Sequence, residues 1–217
     1  MTLRRTRSPR GSGEQLREEI VAAAKRLMAA APTAESVSIR AVADAVGVTP
    51  PSIYRHFEDK QQLVTAVVVD VFADLDRAMV AAGAGFDTPL ERLHAFGRAY
   101  VRFALDHPDH YRLATMDACP RPAVDDMLAE GAWVHFHSVV AECVAAGLFP
   151  GHDPLAATLD LWAAAHGIAS LMIVKPDLPW GEPDEAIDRV LVAAAYGHTV
   201  APGAWPPDPT PPDAADS

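Results

Sequence analysis

Apolar residues recur every three or four positions along almost the whole chain, the spacing that gives a helix one buried stripe. The stripes are Leu16, Ile20, Ala23 and Leu27; Ile39, Val42 and Val46; Leu63, Val67, Val71, Leu75 and Met79; Leu93, Phe96, Tyr100 and Phe103; and Trp133, Phe136 and Val140. Neither a two-residue alternation nor an internal repeat interrupts them, so the pattern predicts an all-α fold of about nine helices. Several helix ends are also marked. Ser12-Gly-Glu-Gln15 has capping-box spacing, and Asp59 stands three residues before Gln62. Thr88-Pro89-Leu90-Glu91 combines a cap, a first-turn proline and a capping-box glutamate. Gly83 and Gly85 end the helix that follows Asp59, and His107-Pro108 ends the next. A short helix is expected around Tyr111 to Met116, and a longer one from about Val124 to Ala146.

The last two helices carry more apolar surface than one neighbour can cover. Asp153-Pro154 caps Leu155 to Val174, which has one stripe of Leu155, Leu159, Trp162, His166 and Ile173 and another of Leu161, Ala165, Ile168 and Met172. The final helix, about Asp184 to Val200, sets Ile187, Leu191 and Ala194 on one side and Val190, Ala193 and Gly197 on another. Two apolar stripes need two packing partners. The expectation is a homodimer in which these helices pair with their copies, small Ala and Gly positions allowing close approach; a larger monomeric core is the alternative. Asp160 and His166 inside the run Leu155 to Val174 favour a buried helix over a membrane span.

The segment Ser38 to Leu63 has a different character. Ile39, Val42 and Val46 give a short helix one buried face, and Gly47 ends it, because glycine adopts the left-handed conformation past a helix at little cost. Thr49 is placed to cap a second short helix by accepting the amide hydrogen of Ser52, with Pro50 at the first helical position. That helix turns Ile53 inward and leaves Ser52, Tyr54, Arg55 and His56 outside. Two helices joined at a glycine, the second short and polar-faced, make a helix-turn-helix whose second helix fits a DNA major groove.

The same segment resembles the DNA-binding signature of the tetracycline-repressor (TetR) family. The resemblance rests on Val42-Ala43, Ala45, Gly47-Val48-Thr49, Ile53-Tyr54-Arg55-His56-Phe57, Lys60 and Leu63. A second, shorter resemblance links Trp162-Ala-Ala-Ala-His166-Gly167 to the Trp…His-Gly motif of one C-terminal subfamily. Membership implies a homodimeric, cytoplasmic transcription regulator. It would bind double-stranded operator DNA through its N-terminal module and an apolar or aromatic small-molecule effector through its helical body. The resulting division is a basic arm (1–12), a helix-turn-helix domain (13–62), an effector-binding and dimerisation domain (63–200) and a proline-rich tail (201–217), arm and tail both expected to be disordered.

Charge at first opposes such a function. The 217-residue chain carries a formal net charge of −11. However, residues 1–62 hold 10 Lys/Arg against 7 Asp/Glu, a net of +3, and the remainder holds 8 against 22, a net of −14. An acidic body behind a basic head can orient the protein on DNA, or simply aid solubility. Arg4, Arg5, Arg7 and Arg10 form a basic arm suited to phosphates or a minor groove, or a solvated tail. Cys119 and Cys143 lie far apart without metal-ligand spacing and read as reduced thiols.

By the resemblance, Thr49, Ser52, Tyr54, His56 and Lys60 match positions that touch DNA; Ser38, Arg40, Pro50 and Arg55 complete the candidate set. Tyr54, His56 and Lys60 suit phosphate contacts, and the exposed first turn, Thr49, Pro50 and Ser52, suits base reading. Arg55 suits either a guanine or a phosphate. Pro50-Pro51 removes two amide donors from the helix start, so the rings either pack against thymine methyls or stiffen the turn. The resemblance also implies a central cavity, for which His94, Phe96, Tyr100, Phe103, Met116, Trp133, His137, Trp162, His166 and Met172 are the candidate lining residues. Singly, each is equally an ordinary core residue.

Other functions find less support. His135 and His137 point in different directions on one helix, and His107 and His110 have no nearby cysteine, which leaves a metal-responsive or activating regulator of the same fold as the alternative. No nucleophile elbow, phosphate loop or metal motif suggests an enzyme or a cofactor.

Overall fold

The computed structural model describes residues 12–116 and 130–200, together with the backbone but not the side chains of Ser12 and Met116. Nine α-helices and no strand occur among the described residues. They are α1 (Ser12–Ala29), α2 (Ile39–Val46), α3 (Pro50–Ile53), α4 (Lys60–Gly83), α5 (Pro89–Asp106), α6 (Pro108–Tyr111), α7 (Ala132–Ala145), α8 (Pro154–Val174) and α9 (Pro183–Gly197). A π-helical turn, Arg112–Met116, continues α6 where an ordinary helix is expected. The basic arm, Cys119, the tail and the first part of the helix expected from Val124, residues 124–129, lie outside the described residues.

The caps marked at Asp59, Thr88 and Asp153 form and the one at Thr49 does not, while α1 begins at Ser12 itself, whose side chain lies outside the described residues. Ser38 accepts the amide of Ala41, Asp59 that of Gln62, and Asp153 that of Ala156. Thr88 and Glu91 make the full capping box. Gly47 sits at φ 76°, ψ 32°, the left-handed geometry that ends α2. Thr49 is the exception. Its backbone carbonyl takes the Ser52 amide at 2.8 Å, and its hydroxyl pairs instead with the Ser52 hydroxyl at 3.1 Å. With prolines at both of the first two helical positions, no amide there needs a side-chain cap.

α1, α2 and α3 close around Ile20, Ala24, Val42, Ile53, Phe57 and Leu63, all fully buried or nearly so. α4 then runs from this head into the body, where it packs on α5 and α7 while α5 also packs on α8 and α9. Lys25 of α1 ties the head to α4 by reaching Asp70 at 2.5 Å and Asp74 at 2.6 Å. Partial burial works against its charge, but the two carboxylates outweigh it and the ammonium pKa rises. Across the body, Arg98 bridges to Asp184 and Asp188 of α9.

α8 has the length and hydropathy of a membrane-crossing helix, yet it packs on α5, α7 and α9 through Ala157, Leu161, Ala165, Ile168, Ala169 and Met172. Its other apolar positions stay open. Leu155, Leu159, Leu171 and Val174 are exposed, and so are Val192, Ala193, Tyr196 and Gly197 of α9. Each terminal helix therefore has a covered face and an uncovered one. Cys143 is buried against this bundle, and burial pushes its thiol pKa up to about 11.

Candidate DNA-reading head and effector cavity

Ser38, Arg40, Tyr54 and Arg55 are exposed on the head. Ile53 and Phe57 anchor α3 from below, which holds Tyr54 outward with 53 % of its surface exposed. Arg55 is exposed and donates to the Ser52 hydroxyl at 3.2 Å, so Thr49, Ser52 and Arg55 form a hydroxyl–hydroxyl–guanidinium row. Ser38 and Arg40 are exposed at the start of α2, with Arg40 loosely paired to Asp44 at 4.0 Å. Lys60, the first residue of α4, donates to the backbone carbonyl of Glu35. His56 is half-buried in a shallow cleft with Arg17, Gln62 and Asp70, where sequence reading places it outside.

The body holds two adjoining cavities. The central one lies among α4, α5, α7 and α8 and is walled by Phe72, Leu75, Met79, Phe96, Gly97, Tyr100, Ala132, Trp133, Phe136, Trp162 and Ala165. Among the described residues, no charged side chain lines it. The larger one, of about 370 Å³, lies between α5, α8 and α9 and is lined mainly by Leu93, Leu161, Leu191, Val192 and Ala195, with His94 and Glu91 at its polar end. Gly97, Phe136 and Ala165 belong to both.

One hydrogen-bonded chain borders the central cavity. The Trp162 indole donates to the Tyr100 hydroxyl at 3.2 Å, and Tyr100 meets the Tyr111 hydroxyl at 3.0 Å. Tyr111 lies 2.6 Å from His166 Nδ1, whose Nε2 lies 3.3 Å from the Ser170 hydroxyl. Burial raises both tyrosine pKa values, with Tyr111 also raising that of Tyr100, and burial lowers that of His166. The groups are therefore neutral near pH 7. A neutral imidazole carries one N–H, so the chain of protons runs in either of two directions. With the proton on Nε2, Tyr111 donates to His166 and Tyr100 to Tyr111, leaving Tyr100 a spare acceptor. With the proton on Nδ1, both donations reverse, and Tyr100 has a spare donor.

Of the ten candidate lining residues, Phe96, Tyr100, Trp133 and Trp162 face the central cavity and His94 the larger one. His166 stands behind Tyr100. Phe103, His137 and Met172 line neither cavity: Phe103 packs on the His107 ring, His137 pairs with buried Thr158 at 3.0 Å, and Met172 is core. The Met116 side chain lies outside the described residues. Sequence reading missed the α4 wall, Phe72, Leu75 and Met79, and missed Tyr111. The stripe of α4 was visible, but nothing in a stripe tells a cavity wall from a packed core. Among the described residues, no group of three His, Cys, Asp or Glu side chains is arranged to hold a metal.

Comparison with known proteins places these features in a family. Residues 20–67 match the family profile described as bacterial regulatory proteins, tetR family, and residues 93–195 match the tetracyclin repressor-like C-terminal domain. An uncharacterised HTH-type transcriptional regulator of Mycobacterium tuberculosis is 28 % identical over 137 residues, which span 63 % of this chain and 61 % of that protein. A protein of unknown function from Rhodococcus sp. RHA1 superposes with a TM-score of 0.71 at 26 % identity, over 85 % of this chain and 96 % of its own. A protein assigned to the tetR family from Shewanella sp. PV-4 gives 0.70 at 14 % identity, over 84 % and 97 %. RolR in complex with resorcinol gives 0.64 at 19 % identity, over 86 % and 89 %, a likeness of fold. With a helix-turn-helix matched at one end and the regulator body at the other, the chain belongs to the tetR family of DNA-binding transcriptional regulators.

Proposed function

We propose that this protein is a cytoplasmic repressor that binds a palindromic operator as a homodimer and releases it when a small effector enters the body. The observation that carries this reading is the outward set of Tyr54, Arg55 and Ser52 over a buried Ile53 and Phe57, a reading face held rigid from below. The uncovered apolar faces of α8 and α9, with Tyr196 70 % exposed, support dimerisation through those helices. The head would comprise residues 13–62 and the body 63–200, with α4 joining them. Trp162 and His166, sharing one hydrogen-bonded cluster, support the Trp…His-Gly subfamily.

An apolar cavity beside α4 supports effector control, because α4 begins within the head and walls the cavity further along. The resorcinol bound by RolR, a relative in fold, is in keeping with a small aromatic effector. Weakening operator binding a hundredfold requires about 2.7 kcal/mol of coupling, within the usual range for two linked sites.

Footprinting of the full-length protein on DNA flanking its own gene tests the reading. Two protected half-sites with centres about 34–36 Å apart are expected for a symmetric dimer. Absence of any protected site on that DNA, or protection of a single half-site by a monomer, would overturn it.

A further inference from the structure

We propose that Arg17 of α1 and His56 hold one backbone phosphate of the DNA between them, which makes α1 a part of the DNA-contacting surface. The proposal rests on the DNA-binding reading above and adds a contact from outside the helix-turn-helix.

Position comes first. Lys25 reaches Asp70 and Asp74, so α1 and α4 lie side by side. Arg17, about two turns before Lys25, falls level with Gln62 and Thr65 near the start of α4, and the three share a cleft with His56. This end of the cleft is where the chain passes from α3 into α4. The exposed Tyr54 and Arg55 directly precede His56, and Lys60 follows it. Arg17 and His56 therefore border the reading face, although they come from distant parts of the chain.

Phe57 holds Arg17 ready. Its ring is 1 % exposed, fixed in the core of the head, and the Arg17 guanidinium carbon lies over it at 5.1 Å from the centroid. An aromatic face attracts a guanidinium, and contact through the face leaves the in-plane N–H fork unused. Among the described residues, the Arg17 guanidinium makes no hydrogen bond or ion pair, and neither does the His56 ring.

The donors select the ligand. A guanidinium fork and an imidazole N–H both donate, so together they suit a group with two acceptor oxygens and a negative charge, which a phosphodiester is. Of the nearby carboxylates, Asp70 lines the cleft but is matched by Lys25 at 2.5 Å, and Asp59 accepts the Gln62 amide at 2.8 Å. Glu14, Glu18 and Glu58 are exposed, line no part of the cleft and form no ion pair with Arg17. Their repulsion acts through solvent and is screened by salt.

Anisotropy titrations of the full-length protein over a series of salt concentrations test this, on the duplex flanking its own gene and on an unrelated duplex of equal length. A phosphate contact carries no sequence information, so both duplexes should respond alike. Arg17→Met keeps a side chain against the Phe57 ring but removes the charge, and it should flatten the log–log salt slope by about 0.9 for each subunit bound. Arg17→Lys should restore the slope. His56→Phe should weaken binding about two- to tenfold. In the Arg17→Met background it should weaken binding less, because groups that share one phosphate do not contribute independently. An unchanged slope in Arg17→Met overturns the proposal, and a lowered thermal midpoint beside it would leave Arg17 only as the cover of Phe57. Fully additive effects of Arg17→Met and His56→Phe overturn it too, since the two side chains would then act apart. Unsubstituted protein that binds neither duplex overturns the DNA-binding reading and the proposal with it.

Discussion

Tyr111 and Arg112 are adjacent in sequence and grip opposite parts of the molecule. The Tyr111 hydroxyl lies 2.6 Å from His166 Nδ1 beside the central cavity. The Arg112 guanidinium donates to the carbonyls of Ala31 at 3.0 Å, Pro32 at 3.3 Å and Ala29 at 3.4 Å, which close the C-terminal end of α1. The carbonyls at a helix end have no partner within the helix, so a guanidinium fork there both satisfies them and favours the helix dipole. The π-helical turn that begins at Arg112 keeps these two grips in register.

Arg112→Ala should therefore loosen the joint between body and head. Hydrogen bonds to a charged group are worth about 1.5–3 kcal/mol, and a loss of that size should appear as a lower midpoint in urea. Arg112→Lys should recover little of it, because an ammonium cannot span several carbonyls in fork geometry. If an effector acts through Tyr111, the alanine variant should also show a weaker operator response to it in an anisotropy titration. Unchanged stability and response would show that the Arg112 contacts carry no coupling.

Gly83 closes α4 directly against a cavity wall. A Cβ at this position would lie 2.4 Å from Phe96 Cε1, closer than any real contact, and Phe96 is itself buried. The helical preference of alanine over glycine, about 1 kcal/mol in a helix interior, counts for less at the last residue of α4. Overpacking costs of about 1–3 kcal/mol should prevail. Gly83→Ala should lower the thermal midpoint, and adding Phe96→Leu should restore part of it. A more stable single variant would show that the Phe96 ring moves aside freely.

Much of this was legible in the sequence because it depends on local chemistry. Asp59, Thr88 and Asp153 act on amides within a few residues and start helices where their spacing says, and Gly47 ends α2 through its own left-handed backbone. Thr49 differs because its backbone carbonyl, not its side chain, takes the Ser52 amide. The cavity was only half legible. Tyr100 and Trp162 announce themselves as aromatics with polar tips, but Tyr111 joins them only through an α5–α6 corner that no periodicity encodes. His137 and Phe103 belong to equally good stripes, and only the tertiary packing turns them away from the cavity.

Burial lowers the pKa of His110, His166 and His198 below the ordinary value of 6.5. The nearby Lys25 and His107 lower His110 further, and His152 lowers His198, while Asp74, Asp109 and Asp160 oppose these shifts. As pH falls, the unfolded chain takes up these protons before the folded one. Their contribution to stability is thus complete above about pH 6.5 and is lost as pH drops through the lowered folded values. Urea midpoints should decline from pH 7 toward pH 5, and the decline should be shallower in His166→Gln. A midpoint that rises over this range would contradict the direction of the shifts.

Lys60 and Tyr54 should separate in a salt titration of operator binding. In the free protein Lys60 is held by the Glu35 carbonyl, and it must exchange that partner for a phosphate to act on DNA. Each cation placed on a phosphate adds about 0.9 to the magnitude of the log–log salt slope. Lys60→Ala should therefore flatten the slope by about 0.9 for each subunit bound. Tyr54 is neutral and exposed, so Tyr54→Phe removes a hydrogen bond but no charge. It should weaken binding about two- to tenfold at every salt concentration and leave the slope unaltered. An unchanged slope in Lys60→Ala means that Lys60 stays with Glu35 on DNA and serves to fix the start of α4 beneath the reading face. An altered slope in Tyr54→Phe would mean that the ring orients a charged neighbour, for which Arg55 is the nearest candidate in sequence.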